Sequence, residues 1–284
     1  MSSQEWSSEG SQRLIEFLRV QLPGWKRSTI EQRMRDGCVE VNGTVVQRND
    51  LLGPGSSVRM VERGEARGKR VVEAPFPLLH DDAWLVAIDK PSGLLSVSSA
   101  SERERTAMAQ LQVALARNTP GAKVWPCHRL DRETSGVLLF AKSREGQAWV
   151  QQAWDQVQKC YLAVVQGTPR DREGVVDQPL FEDAILGVQV GEGHGAKEAR
   201  THYRVVSVHK GRSLLEVQLD TGRRHQIRAH LAWLGHPVVG DPRYGEKARR
   251  MGLHALSLEL RHPGNGRPLR IEAPPPPAFE QLLR

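Results

Sequence analysis

Cysteine and long apolar runs are both scarce in this chain of 284 residues. It contains three cysteines, Cys38, Cys127 and Cys160, and none of them belongs to a Cys-x-x-Cys pair. Neither a disulfide framework nor a structural zinc site is therefore expected. No stretch approaches the ~20 apolar residues that a membrane-spanning helix needs, and the first residues lack the basic start and apolar block of a secretory signal. We expect a cytoplasmic globular protein with reduced cysteines.

Basic residues are in modest excess, and the excess is concentrated in one segment. The chain has 40 lysines and arginines against 33 acidic residues, which gives a net charge of +7. Residues 221–250 carry seven basic and two acidic side chains, so the local excess is five. Such a cluster is typical of a surface that contacts phosphate groups, although an ordinary solvated face has the same composition. Charge alone leaves both interpretations open.

Residues 11–62 are predicted to form a small separate module. Apolar residues recur at helical spacing over residues 14–22, which indicates a first helix. A second helix is predicted to begin at Ser28, with Glu31 three positions later completing a capping box. Two β-branched runs joined by Asn42-Gly43 then predict a β-hairpin, since this dipeptide is the strongest short hairpin signal.

This order of two helices and a hairpin resembles the small RNA-binding module named after ribosomal small-subunit protein four. In that family, the second helix and the following turn present basic residues to RNA. The resemblance assigns this role here to Lys26, Arg27, Arg33 and Arg35. Residues 1–62 contain eight basic and eight acidic residues, so any affinity for RNA must come from one face of the module.

The rest of the chain predicts a linker and one larger domain. Residues 63–75 are charged and lack apolar periodicity, which is typical of a linker. In the larger domain, residues 76–284, helices are expected at 103–117 and 144–158. Most strand-like runs lack a following helix of the length that a parallel crossover needs, so the pattern predicts an α+β fold with a large mixed or antiparallel sheet flanked by helices. The strand-like runs lie at 84–88, 136–141, 161–165, 204–208 and 214–219.

Two segments of this domain combine an apolar strand with polar residues at its end. Residues 86–97 run into Lys90-Pro91-Ser92-Gly93, a turn that could place Lys90 near a phosphate. Residues 128–135 crowd seven polar side chains into eight positions, directly before Gly136 opens an apolar strand. Polar groups beside a buried strand must find partners or perform chemistry. A polar turn held by its own hydrogen bonds is the alternative.

A third segment, residues 221–245, begins at the end of a strand and is predicted to enter a helix. Arg224 and Arg228 would share one face of that helix, four positions apart. The segment also contains three histidines, but their spacing matches no metal-ligand pattern, so no metal site is expected.

Together these segments resemble the RluA-type pseudouridine synthases. Residues 128–136 read HRLDRETSG and match that family's HRLDxxTSG signature. The resemblance covers about residues 78–275, and it implies the pseudouridine synthase fold with the N-terminal module as an appendage found in many members. Ser96-Val97-Ser98-Ser99 stands where many members have a His-Pro, a departure that concerns substrate contacts and not the catalytic set. The further matching segments follow in the family's order: DKPSG (89–93), KCYLA (159–163), TGR (221–223), HQIR (225–228), HP (236–237) and GD (240–241).

The resemblance implies a catalytic set for the conversion of uridine in RNA to pseudouridine. Asp131 matches the essential carboxylate, which acts as a nucleophile or as a base. Arg228 matches the arginine that pairs with it, by a bidentate fork that fixes its geometry, and Arg223 is the competing candidate. Tyr161 matches the tyrosine that stacks on the target base. The reaction is redox-neutral, so no cofactor is expected.

Other residues of the matched motifs are expected to bind the RNA substrate: Lys90, His128, Arg129, Arg223, His225 and Gln226. Of these, His128 is expected to order its loop rather than to transfer protons. The target uridine must leave its stack to reach such a pocket, so base flipping is expected. We expect ribosomal RNA as the substrate, with transfer RNA as the alternative, and a monomeric protein. The alternative is a catalytically silent RNA-binding factor of ribosome assembly on the same fold. An RNA hydrolase using His128 and Asp131 ranks last, because these two residues form no complete nucleophile–base pair.

Overall fold

The computed structural model divides the chain into two compact units, Met1–Val72 and Glu73–Arg284. The structure describes residues 4–35, 38–46, 48–60, 75–98, 102, 105–183 and 187–283. The predicted linker, residues 63–75, lies outside the described residues except for its last position, and its character stays a prediction. Within the described ranges, no helix has both the length and the apolar character of a membrane span.

In its described part, the N-terminal unit contains two helices and six short strands. The helices are α1 (Leu14–Gln21) and α2 (Arg27–Arg35). The strands are β1 (Gln4–Ser7), β2 (Gln12–Arg13), β3 (Val39–Val41), β4 (Thr44–Val45), β5 (Leu51–Leu52) and β6 (Ser57–Met60). Strands β1, β6, β3 and β4 form an antiparallel sheet in that order. Its core joins Leu18 of α1, Ile30 of α2 and Val58 of β6, all completely buried.

Of two local predictions for this unit, one is confirmed and one is wrong. Strands β3 and β4 are joined by Asn42-Gly43, whose φ angles of 50° and 76° are both in the left-handed region that a two-residue hairpin turn requires. Helix α2 begins at Arg27 rather than at Ser28, and Glu31 pairs with the Arg27 guanidinium at 2.9 Å instead of completing a capping box. Lys26 therefore precedes the helix.

The C-terminal unit, where it is described, contains twelve strands, four α-helices and two short 3-10 helices, Trp154–Gln156 and Gln281–Leu283. The α-helices are α3 (Ala107–Asn118), α4 (Arg144–Gln152), α5 (Gln226–Trp233) and α6 (Pro277–Glu280). The strands are β7 (Leu78–Asp81), β8 (Leu85–Lys90), β9 (Trp125–Pro126), β10 (Ser135–Ala141), β11 (Gln158–Gln166), β12 (Glu173–Asp177), β13 (Leu180–Asp183), β14 (Gly187–Val190), β15 (Arg200–His209), β16 (Arg212–Leu219), β17 (Leu253–Arg261) and β18 (Pro268–Glu272).

Ten of these strands form one mixed sheet. Its order is β12, β15, β16, β11, β17, β10, β8 and β7, with β18 beside β17 and β9 beside β10. The β10–β17 pair is parallel, and the other pairs are antiparallel. This arrangement confirms the predicted α+β fold with a large mixed sheet.

Strand β10 shows why the sheet carries helices on both faces. All seven of its residues are buried. Leu138 and Phe140 pack with Leu111 of α3, whereas Val137 packs with Val150 of α4. Because successive strand residues point to opposite faces of a sheet, α3 and α4 cover different faces. The loop before β10 is thereby fixed at the edge of a rigid core.

The predicted helix at 144–158 is too long. Helix α4 ends at Gln152, and β11 begins at Gln158. Val157, between the two elements, packs into the same core cluster as Val150 of the helix. The apolar spacing therefore continues past the helix end because both elements face one core, and spacing alone does not separate them.

Candidate active site

A pocket of about 300 Å³ lies where two of the polar segments of the sequence, residues 128–135 and 221–245, meet. Arg129, Leu130 and Asp131 line it from the loop before β10, and Tyr161 contributes from β11. The loop after β16 and the first turn of α5 supply the residues 222–228 that complete it. This volume is at the lower end of the range of pockets that hold small ligands, ~300–1,000 Å³.

Lys90 holds the Asp131 loop in place from inside the protein. Its side chain is completely buried, and its ammonium group donates to the carbonyl oxygens of Pro91, Leu94 and Arg132 at 3.0, 2.7 and 3.1 Å. Burial lowers the pKa of Lys90 to about 7. The expected contact of Lys90 with RNA is wrong, since three backbone carbonyls fix the ammonium group away from the surface. Lys90 instead connects the turn after β8 with the loop before β10.

Arg228 binds Asp131, but its bidentate fork is used elsewhere. Nη1 of Arg228 donates to Oδ2 of Asp131 at 2.8 Å. Nε and Nη2 donate to the two carboxylate oxygens of Asp241 at 2.7 and 2.8 Å. The predicted bidentate pairing with Asp131 is therefore wrong, because Asp241 occupies the fork. Arg223, the competing candidate, is exposed and donates from Nε to the carbonyl oxygen of Glu198 at 3.1 Å.

Asp131, Arg228 and Asp241 form a cluster in which one guanidinium lies between two carboxylates. Arg228 and Asp241 are 4% and 0% exposed, so their attraction is only weakly screened by water. Burial alone would lower the pKa of Arg228, but its bonds to Asp241 and Asp131 raise the pKa above its ordinary value. Burial likewise opposes the charge of Asp241, and Arg228 with two backbone N–H groups lowers its pKa. The cluster thus carries a net charge of −1 with Asp131 at its pocket end.

Gln226 orders the loop before α5 rather than facing RNA. It is 2% exposed. Its Oε1 accepts from the Thr221 hydroxyl at 2.8 Å and from the Arg223 N–H at 2.9 Å. Its Nε2 donates to the Arg200 carbonyl and the Thr201 hydroxyl, both at 3.0 Å. The predicted RNA contact of Gln226 is therefore wrong, because both ends of its amide are bound within the protein.

Tyr161 lies in the pocket with a protonated hydroxyl. It stands opposite Val217 of β16 and packs against apolar clusters that include Val217 and Ala255. Burial, followed by the charge of Asp131, raises the pKa of Tyr161 far above its ordinary value. The phenol therefore stays neutral near pH 7, which suits stacking on a base and donating a hydrogen bond more than accepting a proton.

The two residues that open the HRLD signature lie in different surroundings. His128 stacks on Trp154 with ring centroids 5.1 Å apart, and its Nε2 accepts the Leu139 N–H at 3.0 Å. Burial lowers the pKa of His128 to about 3, so the ring is neutral and tied to β10. His128 is outside the set that lines the pocket, whereas Arg129 lines it and is exposed. Arg129 is thus free to reach a substrate.

Basic residues surround the pocket, but not as one helix face. Helix α5 begins at Gln226, so Arg224 lies in the preceding loop, where it pairs with Glu182 at 3.0 Å. The predicted shared face of Arg224 and Arg228 is wrong for this reason. Arg223 and Arg224 both line the pocket and are exposed. They supply positive charge at its entrance, where a phosphate backbone would approach.

Sequence reasoning missed Asp241 and Tyr244 as parts of the site. Asp241 stands thirteen positions after Arg228 in a loop, so no periodicity links them. The Tyr244 ring lies under the Arg228 guanidinium at 5.3 Å, and its hydroxyl bonds the His225 ring at 3.1 Å. The GD pair was matched to the family, but only the structure shows which side chain it holds.

Among the described residues, one group of metal-ligand type lies close together, remote in sequence from the signature. His80 and His262 each bond Oδ2 of Asp82 through Nε2, at 2.6 and 2.9 Å. The Gly264 N–H donates to Nδ1 of His262 at 3.1 Å, so the proton of a neutral His262 ring is on Nε2. That proton points at Asp82, where a metal ion would need a lone pair. The geometry is that of a hydrogen-bonded cluster.

The family described as RNA pseudouridylate synthase has a sequence profile that matches residues 84–233. The chain belongs to this family. Ribosomal large subunit pseudouridine synthase D of Nitrosomonas europaea is 34% identical over 96% of this chain and 83% of that protein. tRNA pseudouridine synthase C of Salmonella typhimurium is 38% identical over 69% of this chain and 84% of that protein.

A solved structure of the same family supports the fold. Human RNA pseudouridylate synthase domain containing 4 is 28% identical and superimposes with a TM-score of 0.62, covering 72% of this chain and 91% of that chain. Membership in the RNA pseudouridylate synthase family confirms the predicted enzyme class. The matched residues include Asp131, Tyr161 and Arg228, whereas Asp241 lies beyond them.

Proposed function

We propose that this chain converts uridine in ribosomal RNA to pseudouridine, with Asp131 as the catalytic carboxylate. The supporting observation is the position of Asp131, which lines a nucleoside-sized pocket. A hydrogen bond from Arg228 holds the carboxylate there, and Asp241 orients Arg228. In the reaction the bond from N1 of uracil to C1′ of ribose breaks, the base turns, and C5 bonds to C1′. C5 loses a proton and N1 gains one, so the change is an isomerisation.

Asp131 suits either route proposed for such a carboxylate. As a nucleophile it would attack the base or the sugar, and as a base it would remove a ribose proton. Arg228 binds only through Oδ2, and it is itself neutralised by Asp241. The carboxylate is therefore fixed in direction while the cluster keeps a net negative charge, which both routes need. Tyr161 would stack on the flipped uracil, and Arg129 would fill the vacated space or hold a phosphate.

Ribosomal RNA is the preferred substrate in this proposal because of how far the similarity extends. The ribosomal relative matches 96% of this chain, so the match reaches into the N-terminal unit. The transfer-RNA relative matches 69% of it. A cytoplasmic location would follow from a ribosomal substrate, while the monomeric state stays a prediction.

For the N-terminal unit, we propose the RNA-binding role of the module that it resembles. Lys26 and Arg27 are exposed at the start of α2. The Arg33 guanidinium lies over the Trp25 ring at 5.5 Å, which gives one cationic and aromatic surface on this side of the unit. Arg35 ends α2, and its side chain lies outside the described residues.

The test is release of tritium from RNA transcribed with 5-tritiated uridine, since C5 loses its hydrogen in the reaction. Purified protein should release tritium from large-subunit ribosomal RNA and not from bulk transfer RNA. Release from transfer RNA alone would overturn the substrate assignment. Binding without release from either RNA would instead support the silent RNA-binding factor.

A further inference from the structure

His225, the residue directly before α5, has a backbone conformation that few residues adopt. Its backbone has φ 53° and ψ 16°, in the left-handed region that is uncommon for residues other than glycine. Such strain persists where the surroundings enforce it, and it often occurs at functional sites. Here the ring lines the pocket, with 12% of the side chain exposed. This left-handed residue before the helix places its imidazole beside Asp131.

Tyr244 determines which nitrogen of His225 carries the proton. The Tyr244 hydroxyl donates its one hydrogen to the carbonyl oxygen of Val188 at 3.1 Å. The same oxygen lies 3.1 Å from Nδ1 of His225, and both contacts can be hydrogen bonds only when that nitrogen donates, because the Val188 carbonyl oxygen can only accept. The His225 ring therefore carries a proton on Nδ1.

The other ring nitrogen faces the carboxylate. Nε2 of His225 lies 3.8 Å from Oδ2 of Asp131. Burial comes first among the influences that lower the pKa of His225, and Arg228, Arg224 and Arg243 act in the same direction, while Asp131 opposes them. The ring is therefore neutral near pH 7, and Nε2 offers a lone pair toward the pocket.

Two acceptors this close call for a donor between them. A hydroxyl oxygen fits ~2.8 Å from both Nε2 and Oδ2 across the 3.8 Å gap, and it can donate its one hydrogen to Nε2. Within an RNA chain, a uridine has two donors, N3–H of the base and the 2′-hydroxyl of the ribose, because its other ribose oxygens are ring or ester oxygens. N3 is three bonds from C1′, whereas the 2′-hydroxyl oxygen is two bonds from C1′, the carbon at which the bond to the base breaks and re-forms in the proposed reaction.

We infer that His225 is a specificity-determining residue that accepts a hydrogen bond from the 2′-hydroxyl of the target uridine through Nε2. Tyr244 is its positioning residue, since it keeps the ring proton on Nδ1. The 2′-hydroxyl is the group by which a protein distinguishes RNA from DNA at one nucleotide. This inference rests on the proposed function of Asp131.

The first test is on the protein alone. In ¹⁵N-histidine-labelled full-length protein, His225 should show the neutral Nδ1–H form at pH 7, and Tyr244→Phe should shift its ring toward the Nε2–H form. A protonated His225 ring, or an Nε2–H ring in the wild type, would overturn the inference.

The second test uses an RNA hairpin that carries the modified site, synthesised with uridine or with 2′-deoxyuridine at that position. Binding is measured in the Asp131→Asn background, where the proposed function predicts no turnover. Deoxyuridine should weaken binding about tenfold, the effect of one good hydrogen bond. Adding His225→Asn should reduce this preference to less than about twofold, because Asn tolerates the left-handed backbone but ends near the position of Nδ1. His225→Gln, whose amide reaches the position of Nε2, should retain most of it.

The outcomes separate the inference from the proposal on which it rests. An undiminished ribose preference in His225→Asn, with no turnover by Asp131→Asn, would overturn only the role of His225. Pseudouridine formation by Asp131→Asn would overturn the proposed function itself.

Discussion

Replacing Asp241 by Asn tests whether a buried residue outside the pocket controls Asp131. Asp241 is completely buried and takes both fork positions of Arg228, itself 4% exposed. An amide keeps the shape but turns a donor toward the guanidinium. Breaking a buried ion pair costs ~3–5 kcal/mol. For a unit of this size, each kcal/mol lowers the Tm by roughly 2–4 °C, so a decrease of about 6–20 °C is expected.

The same substitution should slow catalysis more than it weakens binding. In Asp241→Asn, only one of the Nε and Nη2 groups of Arg228 keeps an acceptor, so Arg228 is free to shift toward Asp131. A displacement of about 1 Å at a reacting group can cost ~100-fold in rate. We expect kcat for tritium release to fall about 100-fold while the Kd for RNA changes by less than about threefold. Asp177→Asn is the matched control, since Asp177 forms an exposed ion pair with Arg200. Equal Tm and kcat in Asp241→Asn and Asp177→Asn would refute the reasoning.

Three further predictions concern stability and RNA affinity. In urea unfolding, Gly136→Ala should lower the free energy of unfolding by more than ~3 kcal/mol, because a Cβ there would lie 2.1 Å from the Ala255 carbonyl oxygen. Gly195→Ala, where φ is 73° and the space is open, should lower it by ~1 kcal/mol. Equal losses would contradict this. Burial raises the pKa of Asp82, but hydrogen bonds lower it overall from 3.8 to about 2, so its stabilisation is complete above pH 3.8 and is lost as the pH falls through 2. Between pH 3.8 and 2, the Tm of the wild type should therefore fall more than the Tm of Asp82→Asn. The same pH profile of Tm in both proteins would contradict the assignment. Joint replacement of Lys26 and Arg33 by Ala should make the negative slope of log K against log salt for RNA binding less steep by about 1–2. An unchanged slope would contradict the RNA-binding role proposed for the N-terminal unit.

The sequence predicts those parts of the fold that depend on local patterns. The strand at β10 follows from an uninterrupted apolar run, and the hairpin in the N-terminal unit follows from Asn42-Gly43. The pattern could not locate the end of α4, because Val157, in the connection between α4 and β11, faces the same core as Val150. Periodicity reports which side is buried, but not where the backbone changes from helix to strand.

The site divides in a similar way. Asp131, Tyr161 and Arg228 are named by motif resemblance, and the structure brings all three to one pocket. Asp241 was not assigned to Arg228, because their contact depends on how a loop returns to α5. Lys90 was misplaced for another reason: lysine is usually exposed, and its burial requires three carbonyl oxygens that only the folded turn brings together.

The most direct test of the account is a pseudouridine map of total RNA from cells that lack this protein, compared with the parent cells. We predict that one or a few sites in large-subunit ribosomal RNA lose pseudouridine. The wild-type chain should restore them, and Asp131→Asn, accumulated to the same level, should not. Restoration by Asp131→Asn, or the same map in both cells, would contradict the central claim that Asp131 of this chain makes pseudouridine in ribosomal RNA.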